Sequence, residues 1–182
     1  AKLSAKEPFD MLVVGGGPAG REAALQAARS GAEVLLVDEN PTLGGSLNYA
    51  RFDAEGESGK ALRDTLAGEI AALVNVEVMT DAICNGWFAD NWLPIIQGKR
   101  LHKVRAKETI MCVGALEQQA VFRNNDLPGI MLSSAAQRLI HLYGVRPGTT
   151  AVVLAGNNDG YGTALDLIDA GVNVRAVVEL RQ

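Results

Sequence analysis

Thiols are scarce in this chain of 182 residues, which contains two cysteines, Cys84 and Cys112. Both lie in apolar stretches, and they lack the close spacing of a metal site or of a redox pair. A disulfide framework of the kind that staples small secreted domains is therefore excluded. We interpret both cysteines as buried free thiols and expect a reducing, cytoplasmic environment.

Other absences narrow the class of protein. Basic residues do not predominate, because the chain has 17 lysines and arginines and 21 acidic residues, which gives a net charge of −4. This charge argues against nucleic-acid binding. No apolar run approaches the roughly 20 residues of a membrane-spanning helix, and we do not expect the polar residues 1–10 to be a signal peptide. An initiator methionine is also absent, and residues 177–182 finish just as a predicted strand does, so we expect a piece of a longer polypeptide.

What is present is a dinucleotide-binding pattern between residues 11 and 39. An apolar strand, Met11-Leu12-Val13-Val14, leads into Gly15-Gly16-Gly17-Pro18-Ala19-Gly20 and then into a helix of small residues. Gly15 allows the tight turn, Gly17 has no Cβ to obstruct a pyrophosphate, and Gly20 lets the helix pack close to the sheet. The helix N-terminus adds free N–H groups and the positive end of a dipole, both suited to phosphate.

An acid closes the second strand of this unit. Asp38 follows Val34-Leu35-Leu36-Val37, where a carboxylate can accept hydrogen bonds from the adenosine ribose hydroxyls. A carboxylate here also repels a 2′-phosphate, which favours NAD or FAD over NADP. The alternative left open is a decayed unit that keeps its glycines for packing only.

Hydrophobic spacing predicts an α/β fold: a Rossmann-type parallel sheet with an antiparallel β-meander insert. We expect helices over about 18–30, 58–74 and 133–143. Strands are predicted around 76–78 and 83–88, then over 92–97, 99–105 and 108–113, with a hairpin turn at 89–91. The predicted organisation is a first dinucleotide-binding domain over 1–116 with the insert at about 75–107, a connector over 117–148, and the first βαβ part of a second, incomplete domain over 149–182.

The second βαβ part repeats the first at an offset of 140 residues. Gly20 then corresponds to Gly160 and Gly31 to Gly171, but Gly15 becomes Ala155 and Gly17 becomes Asn157. The acid also shifts by one place, to Glu179. We interpret this unit as a Rossmann half with a weakened nucleotide site, with an intact site on a variant loop, 156–160, as the alternative.

Few residues are candidates for catalysis. The basic surroundings of His102 predict a solvated surface histidine, and His141 on the connector helix is interpreted as a packing residue. Trp87 and Trp92 flank the hairpin and are expected to pack across it. No Ser-His-Asp arrangement and no metal-ligand cluster is apparent, so no catalytic and no metal-binding residue is predicted.

The loop Leu43-Gly44-Gly45-Ser46-Leu47-Asn48 is informative for what it omits. Disulfide reductases of the glutathione reductase type carry a redox cysteine pair after a similar Gly-Gly loop, whereas leucine and alanine stand here at the corresponding places. A dithiol relay is therefore excluded in this segment.

Taken with these motifs, the chain resembles the alpha subunit of heterotetrameric sarcosine oxidase, and the related alpha-type subunits of dye-linked proline dehydrogenase, hydrogen cyanide synthase and opine oxidase. The most specific carriers of the resemblance are two connector segments, Asn125-Asp126-Leu127-Pro128-Gly129-Ile130-Met131-Leu132-Ser133 and Tyr143-Gly144-Val145-Arg146-Pro147-Gly148. The glycine motif alone is common to many flavoproteins.

The resemblance implies a fold of the two-dinucleotide-domain flavoprotein type, like the pyridine nucleotide-disulfide oxidoreductases. It also implies an assembly with beta-, gamma- and delta-type subunits that demethylates sarcosine oxidatively, with oxygen and folate. FAD chemistry would lie in the beta subunit and FMN at the alpha–beta interface, whereas this segment would hold NAD without turnover. Folate would bind farther along the alpha chain, outside this segment. Partners of other kinds, nucleic acid and membrane, are not expected.

Residues implied as cofactor-binding follow from the same resemblance. They are the glycine turn (Gly15, Gly17, Pro18, Ala19, Gly20), the acidic strand end (Asp38, Glu39, Asn40), the Gly-Gly loop (Gly45, Ser46), Cys84 through its backbone, and Gly114. The alternative function is an FAD-dependent NAD(P)H oxidoreductase, such as a ferredoxin reductase or NADH oxidase, with FAD at the first motif and NAD at the second. Ala155 and Asn157 count against that alternative.

Overall fold

The computed structural model describes residues 2–5, 9–53 and 56–181. In chain order the described strands are β1 (Lys2–Ala5), β2 (Phe9–Val14), β3 (Val34–Val37), β4 (Val76–Met79), β5 (Ala82–Cys84), β6 (Trp92–Gln97), β7 (Arg100–Met111), β8 (Thr150–Ala155) and β9 (Asn173–Glu179). The α-helices are α1 (Pro18–Arg29), α2 (Ser58–Ala71), α3 (Ser133–Tyr143) and α4 (Asp159–Asp169). Two compact units result, Ala1–Gly45 with Arg63–Gly114, and Ser46–Leu62 with Ala115–Gln182.

The first unit contains the predicted Rossmann sheet. Strands β4, β3, β2 and β7 are neighbours in that order, and all three pairings are parallel. Helix α1 connects the parallel strands β2 and β3 and contacts both of them, which makes a βαβ unit. The parallel sheet with its meander insert is thus confirmed.

The meander differs from the prediction in one respect. Strand β7 runs without interruption from Arg100 to Met111, where two strands, 99–105 and 108–113, were expected. Its first half pairs antiparallel with β6 and its second half parallel with β2, so one strand belongs to both the insert and the Rossmann sheet. Strand β5 ends at Cys84, short of the expected residue 88, whereas the turn at Ala89–Asn91 lies as predicted.

The core of the first unit lies between the parallel strands and the meander. Leu12, Val14, Leu35 and Val37 are buried on one face of the parallel strands, and the buried meander residues Leu93, Ile95 and Val104 pack against them. Each Å² of apolar surface that is removed from water stabilises this core by about 25 cal/mol. The core therefore holds β2 in place, and with it the glycine turn that follows the strand.

The prediction for His102 is wrong, because the structure places this side chain in the interior with 6% exposure. Its position on β7 explains the burial. Residues 102, 104 and 106 share the face that points to the core, while Lys103 and Arg105 alternate to the outside. The parallel partner of His102 in β1, Ser4, places a further strand beside it.

Helix bounds follow the expected periodicity closely. Helix α3 begins and ends at the predicted residues, α1 ends one residue early, and α2 ends at Ala71 rather than near Val74. On α2 the apolar residues spaced by one helical turn are only partly buried: Leu66 and Ile70 are each 5% exposed, but Leu62 is 46% exposed. Within the described residues, no helix combines the length and the apolar character needed to cross a membrane.

The second unit is a small βαβ arrangement. Strands β8 and β9 pair in parallel, and helix α4 crosses between them, as the 140-residue repeat predicts. Its apolar centre consists of Val153, Ala164, Leu167 and Val172. Residues 46–62, which the sequence places in the first domain, group with this unit. The predicted domain boundaries themselves remain predictions.

Candidate functional site

The glycine turn after β2 is built on contacts that only glycine permits. Gly15 has a φ of +105°, and a Cβ there would lie 2.2 Å from the carbonyl oxygen of Cys112. A Cβ on Gly20 would lie 1.7 Å from the carbonyl oxygen of Gly15. The two glycines therefore bring α1 directly against the end of β2, which supports the packing roles assigned to them.

Gly17 faces open space instead. It is the N-cap of α1 with a φ of −71°, and the nearest atom to a Cβ would be the Gly45 Cα at 3.8 Å. No side chain caps the helix, and its first turn contains no acid. The Arg21 N–H donates to the Gly17 carbonyl at 2.9 Å, and Pro18 has no N–H, so the N–H groups of Ala19 and Gly20 lack a partner within the helix and are available to an anion.

Asp38 is held by the protein more tightly than the sequence suggests. Its side chain is buried, one carboxylate oxygen accepts the N–H of Gly16 at 2.5 Å, and the other accepts the backbone and side-chain N–H groups of Asn40 at 2.8 and 2.9 Å. Three of roughly four acceptor positions are used. Asp38 therefore braces the glycine turn, while the neighbouring Glu39 is exposed at the strand end.

A second loop lies over the turn. The N–H of Gly44 donates to the Gly16 carbonyl at 2.8 Å, and a Cβ on Gly45 would lie 2.8 Å from the Gly17 Cα. A Cβ on Gly16 would lie 2.3 Å from the Leu43 side chain. Sequence reasoning did not assign Gly16 and Gly44 to the site, although the uninterrupted Gly-Gly-Gly and Gly-Gly runs were a usable signal.

The remaining predicted site residues divide between the two units. Cys84 ends β5, whose first residue, Ala82, donates its N–H to the Asp38 carbonyl at 3.0 Å, so the strand begins beside the acid. Gly114 follows β7 with a φ of +73°. Ser46 belongs to the second unit, in the 3-10 helix Gly45–Asn48. Nothing in these positions contradicts the assignments, which remain predictions.

Both cysteines are free and half-buried. Burial raises the pKa of the Cys84 thiol and of the Cys112 thiol, which keeps both protonated near neutral pH. Cys112 also lies against the glycine turn, since a Cβ on Gly20 would be 3.2 Å from the Cys112 Cβ. Neither thiol has the character of a redox nucleophile.

Arg21 is the largest fully buried side chain of the first unit. Its Nη2 donates to the Arg63 carbonyl at 2.6 Å, but Nε and Nη1 have no hydrogen-bond partner among the described residues. Burial, followed by the charge of Arg63, lowers the pKa of this guanidinium. The sequence shows an arginine at position 21, but its position in the sequence did not predict that this side chain would be buried.

We expect Arg21→Met to raise the free energy of unfolding by about 1–4 kcal/mol, because Nε and Nη1 of this buried guanidinium lack hydrogen-bond partners among the described residues, and replacing a buried charge by an apolar side chain of similar length is often stabilising. Denaturant unfolding measures the change. Arg29→Met is the control, because Arg29 is exposed and pairs at 3.3 Å with Glu69, and it is expected to change stability by less than about 1 kcal/mol. A destabilised Arg21→Met variant would contradict this account.

The second glycine motif has the same packing but a different surface. A Cβ on Gly160 would lie 2.6 Å from the Ala155 Cβ, so the helix is again close to its strand. The loop, however, is occupied by its own side chains. The N–H of Asp159 donates to Asn157 Oδ1 at 3.0 Å, and Arg181 Nη1 donates to Asn158 Oδ1 at 3.0 Å.

Glu179, the displaced acid of this motif, is also engaged. It accepts hydrogen bonds from the Tyr161 hydroxyl at 2.9 Å and from Arg181, and the bonds from Arg181 lower the pKa of its carboxyl to about 2. Asp159 meanwhile places a carboxylate in the first turn of α4, where a phosphate would otherwise bind. This geometry favours the interpretation of a weakened site over an intact variant loop.

Other candidate catalytic groups have structural partners. His141 Nε2 lies 3.1 Å from Asp166 Oδ1, which agrees with a packing role. Phe88 stacks on Trp92 with ring centroids 4.6 Å apart, and Trp87 Nε1 donates to Asn91 Oδ1 at 3.1 Å, as expected for residues that flank a hairpin. Within the described ranges, no group of side chains could hold a metal ion.

Comparison with known proteins agrees with this geometry. Residues 10–79 match the family described as FAD dependent oxidoreductase. The chain is 34% identical to sarcosine oxidase subunit alpha of Rhizobium meliloti (strain 1021) and 36% identical to that of Corynebacterium sp. (strain P-1), each over 94% of this chain and 19% of the relative. The chain resembles the sarcosine oxidase alpha subunit.

This resemblance confirms the expectation from the connector segments and the glycine motif. The chain spans about a fifth of the length of these curated relatives. Among solved structures, L-proline dehydrogenase from P. horikoshii matches all of this chain with a TM-score of 0.80 and 24% identity, over 37% of that protein. The fold is therefore that of the two-dinucleotide-domain flavoproteins, and the relatives named here are oxidoreductases.

Proposed function

We propose that this chain is the dinucleotide-binding part of an alpha-type subunit in a multi-subunit amine oxidase of the sarcosine oxidase type. In this proposal NAD binds at the first glycine motif and does not turn over. The observation that carries the dinucleotide site, though not the choice of NAD over FAD, is the uncapped first turn of α1 beside Gly17, where a Cβ would meet nothing closer than 3.8 Å. A pyrophosphate fits such a cradle, because both the helix dipole and the free N–H groups favour an anion.

The adenosine end of the nucleotide would lie over the end of β3. There Glu39 and Asn40 are exposed, and Asp38 retains an acceptor position while it braces Gly16. We assign the ribose hydroxyls to Glu39 and to the free acceptor position of Asp38. The backbone at Cys84 would contact the adenine edge. When bound, NAD supplies no chemistry in this proposal; the residues named hold and orient it.

FAD at the same motif is the second candidate, and the matched family, described as FAD dependent oxidoreductase, favours it. Both cofactors present an ADP moiety to the glycine turn, so the turn does not discriminate between them. A single-chain reductase with FAD at the first motif and NAD at the second is disfavoured, because the second loop is occupied by Asn157, Asn158 and Arg181.

Denaturation of the purified chain and mass analysis of the released small molecule separates these candidates. We expect one equivalent of NAD per chain and a colourless protein. A flavin absorption band with release of FAD would overturn the assignment of NAD. Two equivalents of dinucleotide would overturn the interpretation of the second motif as a weakened site.

The proposal extends to the complete assembly. Sarcosine demethylation, flavin chemistry on FAD and FMN, folate binding and the beta-, gamma- and delta-type partners would all lie outside the residues described here, in a cytoplasmic complex. The support is that the relatives are named as subunits, which indicates a hetero-oligomer.

A further inference from the structure

Charge is distributed unevenly along this chain. It has 17 basic and 21 acidic residues, yet the stretch from Trp92 to Lys107 contains five of the basic residues and none of the acidic ones. The remaining chain is left with 12 basic against 21 acidic residues. This basic stretch forms β6, the hairpin tip and the first half of β7, and the proposed nucleotide site does not use it.

Lys103 and Arg105 lie on the face of β7 opposite His102, whereas Lys99 and Arg100 lie at the hairpin tip between β6 and β7. Lys99, Arg100, Lys103 and Arg105 are exposed, and within the described residues none of them has an ion-pair partner. Lys107 differs, because its Nζ pairs with Asp10 at 2.6 Å. Four positive charges thus stand on this surface without a neutralising carboxylate from the described chain.

Apolar side chains stand between the cations. The register pairs Ile83 with Ile96 and Ile96 with Leu101 across three strands. Ile83 is 51% and Ile96 38% exposed, although their neighbours Ala82 and Ile95 are in the core. Together with Lys99, Arg100, Lys103 and Arg105, we call these three residues the outer meander face.

A depression of about 390 Å³ opens in this face, lined by Ile96, Gly98, Lys99, Arg100 and Leu101. Its lining combines the apolar residues Ile96 and Leu101 with the cations Lys99 and Arg100. An apolar side chain flanked by carboxylates would fit it, which is the pattern of a protein interface with an apolar centre and a charged rim.

Nucleic acid is a poorer match. Single-stranded nucleic acid needs aromatic rings free to stack on bases. Trp92 already stacks on Phe88, and the Lys103 ammonium lies 5.0 Å from its ring centroid. The ring is therefore used within the meander.

We propose that the outer meander face docks an acidic surface of a different protein subunit. The existence of such a subunit rests on the proposed function. Release of the nucleotide from the isolated chain tests the proposed function separately, because that experiment needs no partner. A second copy of this face would be repelled, because it carries the same positive charge. The charge pattern therefore favours a partner that is rich in Asp and Glu at the contact.

The full-length polypeptide, tagged and purified from its native host, provides the test. A carbodiimide joins lysine amines to carboxylates in direct contact. We expect cross-links from Lys99 or Lys103 to Asp or Glu of a different polypeptide that co-purifies in equal amount. Cross-links to a second copy of this chain, release of the bound material by nuclease, or a chain that purifies alone would each overturn the proposal.

A charge-reversal variant checks the same surface. Lys99→Glu, Arg100→Glu and Arg105→Glu in one chain are expected to lower recovery of the partner at least about tenfold, with native circular dichroism. The matched control reverses three exposed cations of the second unit, Arg123, Arg146 and Arg175, with the same change in net charge. Equal recovery of the partner with both variants would overturn the proposal.

Discussion

Replacing Gly17 with valine is expected to weaken dinucleotide binding by about 100-fold or more, which corresponds to roughly 3 kcal/mol. The two γ-methyl groups would enter the space that the proposal assigns to the pyrophosphate. Gly17 has an ordinary φ of −71° and no close neighbour, so the fold itself accepts a side chain there. Loss of a favourable N-cap costs only about 1 kcal/mol of stability. Nucleotide retained per chain after gel filtration measures the effect.

Two further glycine variants serve as controls for this measurement. Gly68→Val changes a glycine of α2 that also has no close neighbour, and it is expected to retain the nucleotide. Gly20→Ala is expected to prevent folding, because its Cβ would lie 1.7 Å from the Gly15 carbonyl oxygen. A folded Gly17→Val variant that retains a full equivalent would refute the assigned cradle.

Local patterns predicted much of the first unit. The strand–turn–helix–strand at 9–37 and the helix at Ser133–Tyr143 follow from apolar periodicity and glycine positions, which are properties of neighbouring residues. The burial of His102 was also within reach, because residues 102, 104 and 106 alternate on one face of a strand. The basic neighbours on the other face obscured that pattern.

Features that depend on distant residues could not be predicted in this way. Strand β1 has few residues and gains its place by pairing with β7, about 100 residues away in the chain. The use of Asp38 as a brace depends on where the Gly16 N–H points, and only the folded turn fixes that direction. The assignment of the site residues remains a prediction, and the distinction between the bracing carboxylate of Asp38 and the exposed side chain of Glu39 required coordinates.

The clearest long-range feature is a polar cluster in the second unit. Asp166 is 2% exposed, and its Oδ1 lies 3.0 Å from Arg51 Nη1 and 3.1 Å from His141 Nε2. Its Oδ2 accepts a hydrogen bond from Gln137 Nε2 at 2.8 Å. The Asp166 carboxylate on α4 thus links Arg51 to helices α3 and α4. No local pattern in the sequence predicts this link.

Asp166→Ala is expected to destabilise the second unit by about 3–5 kcal/mol, because it leaves the Arg51 guanidinium and the Gln137 amide without their buried acceptor. Hydrogen exchange of the α4 and β8 amides measures this loss within the unit. Asp169→Ala is the matched control. Asp169 contacts the same Arg51 nitrogen at 2.6 Å, but its side chain is 64% exposed, so its removal is expected to cost less than about 1 kcal/mol. Similar losses in both variants would mean that burial of Asp166 does not determine the strength of the cluster.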